Sequence, residues 1–389
     1  RLTRGPLPFT QLPAILYSAL PFRMERLLIR RRDFLAGGSL VLMLGPRAAG
    51  AAIPATDVTF LVINDVHACR MGDGLSPNCL EEGKTDANLL RHIAALNAIH
   101  ENRWPSEIDG KPTGLAGAGE TIAKPLGVVV CGDVTDDGGG QTAEPGEAAQ
   151  LLQFSHRYQQ GHGPDRVHYP VYIGLGNHDL DQDGRPPNLD WYRNELRDYV
   201  RLNHKPSVFF KPTVPVDNYD EASDNYSWNW QGLHLVQMQR FGGDRNKGAA
   251  GGLDWLKADL AAYAGDGRPV VLFQHYGWDH FSLERWDPEK KTFDAEGDGL
   301  PHWWSDADRA ALLDILKGYN IAAIFHGHEH ETAMIYQAAG LDIVKATAAY
   351  MGGFALVRVT EKGMDVVLGT AMDETGGVKF LAAHHKSFA

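Results

Sequence analysis

Five short clusters of polar residues could ligate metal ions, and each stands directly after an apolar segment that predicts a buried strand. They supply carboxylate, amide and imidazole groups, a mixture that suits Mn, Fe or Zn better than an ion selected by thiolates. Open α/β sheets place ligand sites at the carboxyl ends of their strands, so the positions support the residue types. In chain order the clusters are Asp65-Val66-His67, Gly132-Asp133-Val134-Thr135-Asp136, Gly176-Asn177-His178-Asp179, His275 and Gly327-His328-Glu329-His330.

Several of these residues also have a purely structural interpretation. Asn177 could be a turn residue with left-handed backbone geometry, and Asp136 could cap the start of a helix. We expect His326 to be structural or to support a ligand rather than to bind metal. Glu329 is expected to face away from the ligands, because both of its neighbours point inward. A single cluster arises readily by chance, whereas five in order do not.

The order of the clusters resembles the calcineurin-like metallophosphoesterase family. The patterns D-x-H, G-D-x-x-D, G-N-H-D, a lone His after a strand and G-H-x-H follow one another over residues 65–330. The resemblance implies two metal ions, which could be Mn, Fe or Zn, with Asp133 bridging them. It implies one ion held by Asp65, His67 and His330, and a second held by Asn177, His275 and His328.

The resemblance implies a catalytic role for His178 and does not place it among the metal ligands. In the family the equivalent histidine faces the scissile phosphate and is oriented by a carboxylate, a role that Asp136 fits. The pair would protonate the leaving oxygen or stabilise charge on the phosphoryl group. Because imidazoles bind metal in their neutral form, activity is expected to fall in acid.

At two points the sequence differs from particular branches of the family. After Asp136 the chain has Asp137-Gly138-Gly139-Gly140, where the protein Ser/Thr phosphatases carry an Arg that clamps phosphate. The purple acid phosphatases have a Tyr where Asp136 stands. The closer likeness is to exported bacterial phosphoesterases.

The expected reaction is the hydrolysis of phosphate esters, and we favour a phosphomonoesterase acting on small or lipid-like organic phosphates. One alternative is a phosphodiesterase on cyclic nucleotides or glycerophosphodiesters. Another is a non-catalytic protein that binds metal or ligand on the same fold. Substrate contacts are expected from the loop over residues 276–305, where Trp278 could stack on a base or sugar ring and Arg285 or His302 could meet a second anionic group. A structural alternative for any one of its tryptophans is an apolar cluster beneath the loop.

The elements that must position these residues alternate along the chain. Apolar β-branched segments predict strands over residues 59–63, 127–130, 171–173, 270–273 and 321–325. Amphipathic stretches predict helices over 89–99, 148–158, 191–202, 253–263 and 306–319. Six alternating segments without intervening helices predict a second, more antiparallel sheet: 226–230, 233–238, 333–338, 342–346, 354–359 and 364–368.

Together with the resemblance, this pattern predicts an α/β fold. The expected architecture is a four-layer α/β-β/α sandwich of two mixed sheets flanked by helices, in a single catalytic domain over residues 53–389. Polar loops over 138–146, 181–188 and 277–305 are candidate substrate loops, since loops of this length are usually either functional or disordered.

The first 52 residues have the pattern of an export signal. Arg30, Arg31 and Arg32 precede a short apolar run and a stretch of small residues, an order that resembles a twin-arginine signal peptide. We expect residues 24–52 to be this signal and the mature protein to be periplasmic or extracellular. Residues 1–23 are expected to be a disordered upstream segment that is not native. The apolar run at 34–44 is shorter than the ~20 residues that span a bilayer.

Composition restricts the partners. With 389 residues and a formal net charge of -12, the chain lacks the basic surface that grips a nucleic acid polymer. We therefore expect a small-molecule phosphate ester as partner, no nucleic acid polymer and no stable membrane span. Cys69 and Cys79 could form a disulfide in an oxidising compartment or remain two free thiols. Cys131 ends an apolar run and is expected to be a buried, inert thiol.

Overall fold

A computed structural model of the chain describes residues 55–69, 79–136, 149–180, 190–245, 249–287, 292–294, 300–301 and 304–388. The predictions for residues 1–23 and 24–52 lie outside the described residues. So do the candidate loops at 138–146 and 181–188 and the candidate substrate residue His302.

The described strands fall into four sheets. In chain order they are β1 Asp57–Ile63, β2 Glu107–Ile108, β3 Lys111–Pro112, β4 Val128–Val130, β5 Val171–Tyr172, β6 Asn218–Tyr219, β7 Tyr226–Trp230, β8 Leu233–Gln237, β9 Val270–Phe273, β10 Arg285–Asp287, β11 Thr292–Asp294, β12 Leu300–Pro301, β13 Ile321–His326, β14 Met334–Ala338, β15 Leu341–Lys345, β16 Gly353–Thr360, β17 Gly363–Ala371 and β18 Val378–Ser387.

Helices follow the predicted amphipathic stretches, with their ends set by capping residues where the structure describes them. The Thr85 side chain accepts a hydrogen bond from the main-chain N of Asn88 at the start of the first helix. Ser305 and Asp308 form a reciprocal capping box at the start of the last. The helices are α1 Asp86–Ala98, α2 Ala149–Tyr158, α3 Asn177–Leu180, α4 Asp190–His204, α5 Leu253–Tyr263 and α6 Asp306–Leu316, with 3₁₀ turns at Ile99–Glu101, Phe281–Leu283 and Ala349–Met351.

The first large sheet has six strands in the order β18-β17-β16-β1-β4-β5. Strands β1, β4 and β5 run parallel to one another, and β16, β17 and β18 add antiparallel neighbours on the other side of β1. All residues of β1 after Asp57 are buried, which is expected of a strand covered on both faces.

The second large sheet has seven strands in the order β14-β15-β13-β9-β8-β7-β6. Its central strands β15, β13, β9 and β8 are parallel, and the outer strands are antiparallel. Strands β11, β10 and β12 form a small separate sheet, and β2 pairs with β3 as a hairpin.

The two large sheets pack face to face and helices cover their outer faces. The ring of Phe60 on β1 lies 6.1 Å from that of Phe273 on β9 and 6.4 Å from that of Phe325 on β13, so the main core fills the space between the sheets. Leucines of α5 and α6, among them Leu256 and Leu312, form a second core with the outer face of the seven-stranded sheet. Helix α1 packs on β17. The predicted four-layer sandwich of two mixed sheets is therefore confirmed.

One expectation about the sheets is wrong. The six alternating segments do not form one sheet of their own, because β16 and β17 lie in the sheet of β1 while the other four segments lie beside β9 and β13. Alternation shows that a segment is a strand, but its partner is set by long-range pairing such as Val58 opposite Val359. Strand β18 was not predicted, since its half-buried His and Lys residues give no apolar pattern.

Among the described residues, no helix is long and apolar enough to cross a lipid bilayer.

Candidate metal centre

The candidate ligands lie at the carboxyl ends of strands from both large sheets. Because β1, β4 and β5 are parallel neighbours, and β9 and β13 likewise, their ends meet at one edge of the sandwich. Several contacts join the sheets there. For example, the main-chain N of His328 donates to the Asp65 carboxylate at 3.0 and 3.2 Å, and His275 Nδ1 lies 2.8 Å from the carbonyl O of Cys131. The ligand positions are Asp65 and His67 after β1, Asp133 after β4, Asn177 at the start of α3, His275 after β9, and His328 and His330 after β13.

Four of these residues have left-handed backbone conformations. Their φ angles are 51° at Asp65, 44° at His67, 51° at Asp133 and 79° at His328. Such conformations cost non-glycine residues about 1–3 kcal/mol each and cluster at functional sites. The sharp turns that they make at the strand ends bring side chains from different strands together. Asn177, for which we considered this geometry, instead begins a helix.

Glycines allow the strand ends to approach one another. A Cβ at Gly132, whose φ is +91°, would lie 2.5 Å from His275 Nδ1. A Cβ at Gly176 would overlap the Asp133 carboxylate, and one at Gly327 would lie 2.6 Å from Asp65 Oδ2. These three glycines of the sequence patterns are therefore required by close packing of the ligand-bearing loops.

Four residues form the first candidate ligand group, and each offers one ligand atom within 4.8 Å of the other three. They are Asp65, His67, Asp133 and His330. His67 Nε2 lies 3.0 Å from His330 Nε2 and 3.6 Å from Asp133 Oδ2. Asp65 Oδ1 lies 3.5 Å from His330 Nε2 and 3.8 Å from His67 Nε2. The group is buried except for His330, whose side chain is 25% exposed and opens the site to solvent.

The second group comprises Asp133, His275 and His328, again with ligand atoms within 4.8 Å of one another. Asn177 joins it, because its Oδ1 lies 2.9 Å from His275 Nε2. Asp133 Oδ2 lies 3.0 Å from the same nitrogen. Asp133 therefore belongs to both groups, as the predicted bridging role requires.

The hydrogen bonds of the two ligand groups leave lone pairs directed at positions that cations could fill. His275 Nδ1 must donate to the Cys131 carbonyl, so a neutral ring presents a lone pair at Nε2, where the oxygens of Asn177 and Asp133 also converge. Asp133 Oδ2 is buried, and no described residue donates a hydrogen bond to it. In the same way His67 Nδ1 lies 3.1 Å from an oxygen of Asp136, which turns the Nε2 lone pair toward His330 Nε2. Buried lone pairs that face one another are unfavourable without a positive charge between them, so this set fits metal ions.

The electrostatics of the groups also favour positive charge. Burial opposes protonation of His67, but Asp136 and Asp65 more than offset it and raise the pKa of His67 to about 9. Burial is likewise outweighed at His275, where Asp133 and Asp65 raise the pKa to about 9. Burial would raise the pKa of Asp65, yet His330 and His67 hold it well below its usual range. Carboxylates that stay ionised when buried form a strong cation site.

His178 lies beside the first group, but its orientation differs from the prediction. Its Nδ1 donates to the main-chain carbonyl O of Asp136, and its main-chain N donates to Asp133 Oδ1 at 2.9 Å. The Asp136 carboxylate instead contacts His67 Nδ1 at 3.1 Å and Lys84 Nζ at 2.7 Å. The expectation that this carboxylate orients His178 is therefore wrong. The Asp136 side chain contacts His67, and it is the main-chain carbonyl of Asp136 that accepts the hydrogen bond from His178.

Two further expectations agree with the geometry. His326 contacts the Gly327 carbonyl and the Tyr336 hydroxyl and belongs to neither group. The Glu329 carboxylate receives hydrogen bonds from Lys345 Nζ at 2.5 Å and from the main-chain N of Thr332, so it faces away from the ligands.

Asp179 is a supporting residue that sequence reasoning missed. Its buried carboxylate accepts hydrogen bonds from the main-chain N atoms of Gly176, Val134 and Thr135 at 2.9, 3.1 and 3.0 Å. Burial and the nearby Asp133 raise its pKa to about 6. It ties the loop after β4 to the loop after β5, and its place as the last residue of G-N-H-D was the signal that could have identified it.

Part of the rim of the centre is apolar. The ring of Phe281 is 4.8 Å from that of His328 and the residue is 40% exposed. On the other side Tyr350 OH lies 3.2 Å from His330 Nδ1, and the following Met351 is 40% exposed. No sequence motif marks these residues.

Of the substrate residues predicted in the long loop, the structure describes the side chain of Trp278, and its described contacts lead away from the centre. Trp278 is half-buried, its ring lies 5.0 Å from that of Trp304, and it packs against the outer core of the seven-stranded sheet. This environment matches the structural alternative for Trp278. Arg285 lies in the short strand β10, and His302 lies outside the described residues.

The cysteines take definite states. Cys69 and Cys79 form a disulfide with their Cα atoms 5.9 Å apart, so the bridged alternative holds. Cys131 is free and buried, and burial together with Asp65 raises the pKa of its thiol well above the usual range. The buried, protonated thiol of Cys131 is therefore expected to be unreactive.

Comparison with known proteins agrees with the site. The model of the calcineurin-like phosphoesterase family matches residues 58–332, which is more than half of the chain. A comparison with curated protein sequences finds no match.

Solved structures with a similar fold share little sequence with the chain. A dimetal phosphatase from Danio rerio is 15% identical with a TM-score of 0.47, covering 86% of this chain and 100% of its own. A hypothetical protein from Thermus thermophilus is 14% identical with a TM-score of 0.33, covering 85% and 99%. The family model alone carries the assignment, and its members typically bind two divalent metal ions. The chain therefore belongs to the calcineurin-like phosphoesterase family and is a hydrolase of phosphoric esters.

Proposed function

We propose that the chain is a phosphomonoesterase that acts on small or lipid-like organic phosphates. The observation that carries this choice is the contact between His178 Nδ1 and the main-chain carbonyl of Asp136. A carbonyl only accepts hydrogen bonds, so Nδ1 carries the proton and the neutral ring presents a lone pair at Nε2. Burial lowers the pKa of His178, which keeps this ring neutral near pH 7.

A neutral Nε2 suits a substrate that still carries an acidic proton. A phosphate monoester has a second pKa of about 6, so its monoanionic form, about a tenth of the monoester at pH 7, can donate its proton to Nε2 as it binds. The protonated His178 can then deliver that proton to the leaving alcohol oxygen as the P–O bond breaks. A phosphodiester has no such proton, and this is the reason to favour the monoester.

The same proposal assigns the ligands. One ion would be held by Asp65, His67 and His330, a second by Asn177, His275 and His328, and Asp133 would contact both. When bound, two such ions polarise the phosphoryl oxygens and make the attacking water more acidic. Asp136 keeps His67 in the tautomer whose Nε2 faces the centre, and Asp179 holds the loops that carry Asp133 and Asn177 in register.

The apolar rim supports an organic group of appreciable size on the substrate. Phe281 lies beside His328, and the exposed Met351 follows Tyr350, whose hydroxyl contacts His330. An alkyl or acyl chain laid across them would gain up to about 0.8 kcal/mol for each methylene that it buries. Lipid-like phosphates fit this surface better than inorganic or highly charged phosphates do.

The substrate proposal is tested by comparing kcat/KM for 4-nitrophenyl phosphate and bis(4-nitrophenyl) phosphate. We expect the monoester to be preferred, and we expect His178→Ala to lower the rate on the monoester more than the rate on the diester. A preference for the diester, or an equal loss on both substrates in the variant, would contradict the role given to His178.

We also propose that the protein is exported through the twin-arginine pathway. The Arg30-Arg31-Arg32 sequence before a short apolar run supports this, and so does the Cys69–Cys79 disulfide, since disulfides persist in oxidising compartments. Fusing residues 24–52 to a reporter that folds before transport is the test. Export should occur with the natural segment and stop when Arg30, Arg31 and Arg32 are replaced by Lys.

A further inference from the structure

Lys84 is a nearly buried lysine beside the metal centre, and no sequence motif or proposed catalytic step uses it. The residue is only 7% exposed. Its Nζ lies 2.7 Å from Asp136 Oδ1 and 2.6 Å from an oxygen of Glu82. Burying an ammonium group is unfavourable unless it is paired, so this placement needs a reason.

The contacts of Lys84 lead to two ligands of the same proposed ion. Asp136 Oδ1, which accepts from Lys84 Nζ, also lies 3.1 Å from His67 Nδ1. On the other side Nζ lies 5.7 Å from the ring centre of Tyr350, whose hydroxyl lies 3.2 Å from His330 Nδ1. The contacts described for Lys84 reach none of the ligands of the other proposed ion.

The chain holds Lys84 in place from both ends of a short turn. Its main-chain N donates to the carbonyl O of Cys79 at 2.8 Å, and Cys79 is joined by the disulfide to Cys69, two residues after His67. On the other side helix α1 begins immediately, capped by Thr85. The ammonium group is therefore delivered to Asp136 by an anchored segment rather than by a free surface loop.

We propose that Lys84 is a positioning residue for one of the two metal ions. It fixes the Asp136 carboxylate in the orientation that holds His67 Nε2 toward the centre, and it packs on the tyrosine that contacts His330. The ion held by Asp65, His67 and His330 depends on Lys84, and the ion held by Asn177, His275 and His328 does not. This inference rests on the ligand set of the proposed function.

The test is calorimetric titration of metal-free protein with Mn²⁺. Lys84→Met should weaken one of the two binding steps by about tenfold, the lower end of the range for residues that orient metal ligands. The other step should change by less than about twofold, and Lys84→Arg, which keeps the charge and a donor, should recover most of the loss. Lys386→Met is the matched control, because Lys386 also has an ion pair and two carbonyl contacts but lies away from the ligands.

The possible outcomes distinguish the role of Lys84 from the ligand set on which it rests. Equal weakening of both steps, or of neither, in Lys84→Met would overturn the role of Lys84. A wild-type protein that binds fewer than two Mn²⁺ ions would overturn the ligand set itself. If circular dichroism shows Lys84→Met to be unfolded, Lys84→Gln takes its place. It keeps a donor for Asp136, so a smaller loss confined to one step is expected, and a variant in which both steps match the wild type counts against the proposal.

Discussion

At the scale of single residues, the role proposed for His178 allows catalysis to be tested separately from metal binding. It contacts Asp133 only through its main-chain N, so its side chain can be removed without removing a ligand atom. We expect His178→Ala to lower kcat/KM by roughly 10²–10⁴-fold, the usual contribution of a proton-transferring side chain. The metal content should stay at the wild-type value. His168→Ala, which alters an exposed histidine elsewhere, is the control for general damage.

The pH dependence of metal binding follows from His67 and His275. Their pKa in the metal-free protein is about 9, above the ordinary value of 6.5, because nearby carboxylates outweigh burial. Protonation of these two groups therefore stabilises the metal-free fold fully below pH 6.5, and that contribution is lost as the pH rises through 9.

Metal binding must displace the same protons. We expect the apparent Mn²⁺ affinity to rise between pH 6.5 and pH 9, and binding at pH 7.5 to release up to two protons per chain. Calorimetry in two buffers of different ionisation enthalpy measures this release. An affinity that is flat across this range would show that the two histidines do not bind metal.

The types and spacing of the residues, together with the family resemblance that they carry, predicted which side chains meet. Asp65, His67, Asp133, Asn177, His275, His328 and His330 all contribute to the two groups. The orientation of Asp136 was not predictable, because His67 Nδ1 and Lys84 compete for its carboxylate and Lys84 belongs to no motif. Supporting residues of this kind are set by packing in three dimensions and leave no pattern in the sequence.

At the scale of the elements, the site depends on how closely the loops after β4 and β5 approach each other. A methyl group at Gly176 would overlap the Asp133 carboxylate. Gly176→Ala should therefore displace Asp133 and reduce both metal content and activity by more than about tenfold, with a stability cost of about 1–3 kcal/mol. Elemental analysis and thermal unfolding measure the two effects.

Gly318→Ala is the control for this change. Gly318 has a φ of +87° but nothing lies within 4 Å of the added Cβ, so the substitution strains only the backbone, at a turn before β13. It should lower stability while leaving the metal content intact. If both variants lose metal equally, close packing at Gly176 is not what positions the ligands.

The positions of helices and strands along the chain were predicted better than the pairing of the strands within the sheets. The segments for β9 and α5 were predicted with the bounds that the structure has, because apolar runs and helical periodicity are local signals. Which sheet holds β16 is decided by its pairing with β1, about three hundred residues away, and no local pattern encodes that choice. The left-handed turns at Asp65 and Asp133 also escaped prediction. Asp is enriched among non-glycine residues with positive φ, but only a few per cent of non-glycine residues adopt that geometry, so residue type alone does not indicate it.

At the scale of the whole molecule, the candidate metal centre lies where the two sheets meet. Asp65 and Asp133 come from the six-stranded sheet, whereas His275 and His330 come from the seven-stranded one. Removing the ions should leave converging carboxylates at this seam. The free energy of unfolding should fall by about 2.7 kcal/mol for each ion, relative to protein held at a hundredfold excess of metal over Kd.

Thermal unfolding with and without chelator measures this linkage, and readdition of Mn²⁺ or Zn²⁺ should restore the original melting temperature. Asp133→Asn, which weakens the oxygen shared by both groups, should respond much less to added metal. A wild-type melting temperature that does not depend on metal would mean that the ions do not join the sheets.

The central claim is that seven side chains from five strand ends hold two metal ions with Asp133 between them. An anomalous difference map from crystals of the Mn²⁺-loaded protein tests it most directly. The account predicts two peaks that both contact Asp133, one also contacting His67 and the other His275. A single peak, or peaks away from Asp133, would contradict it.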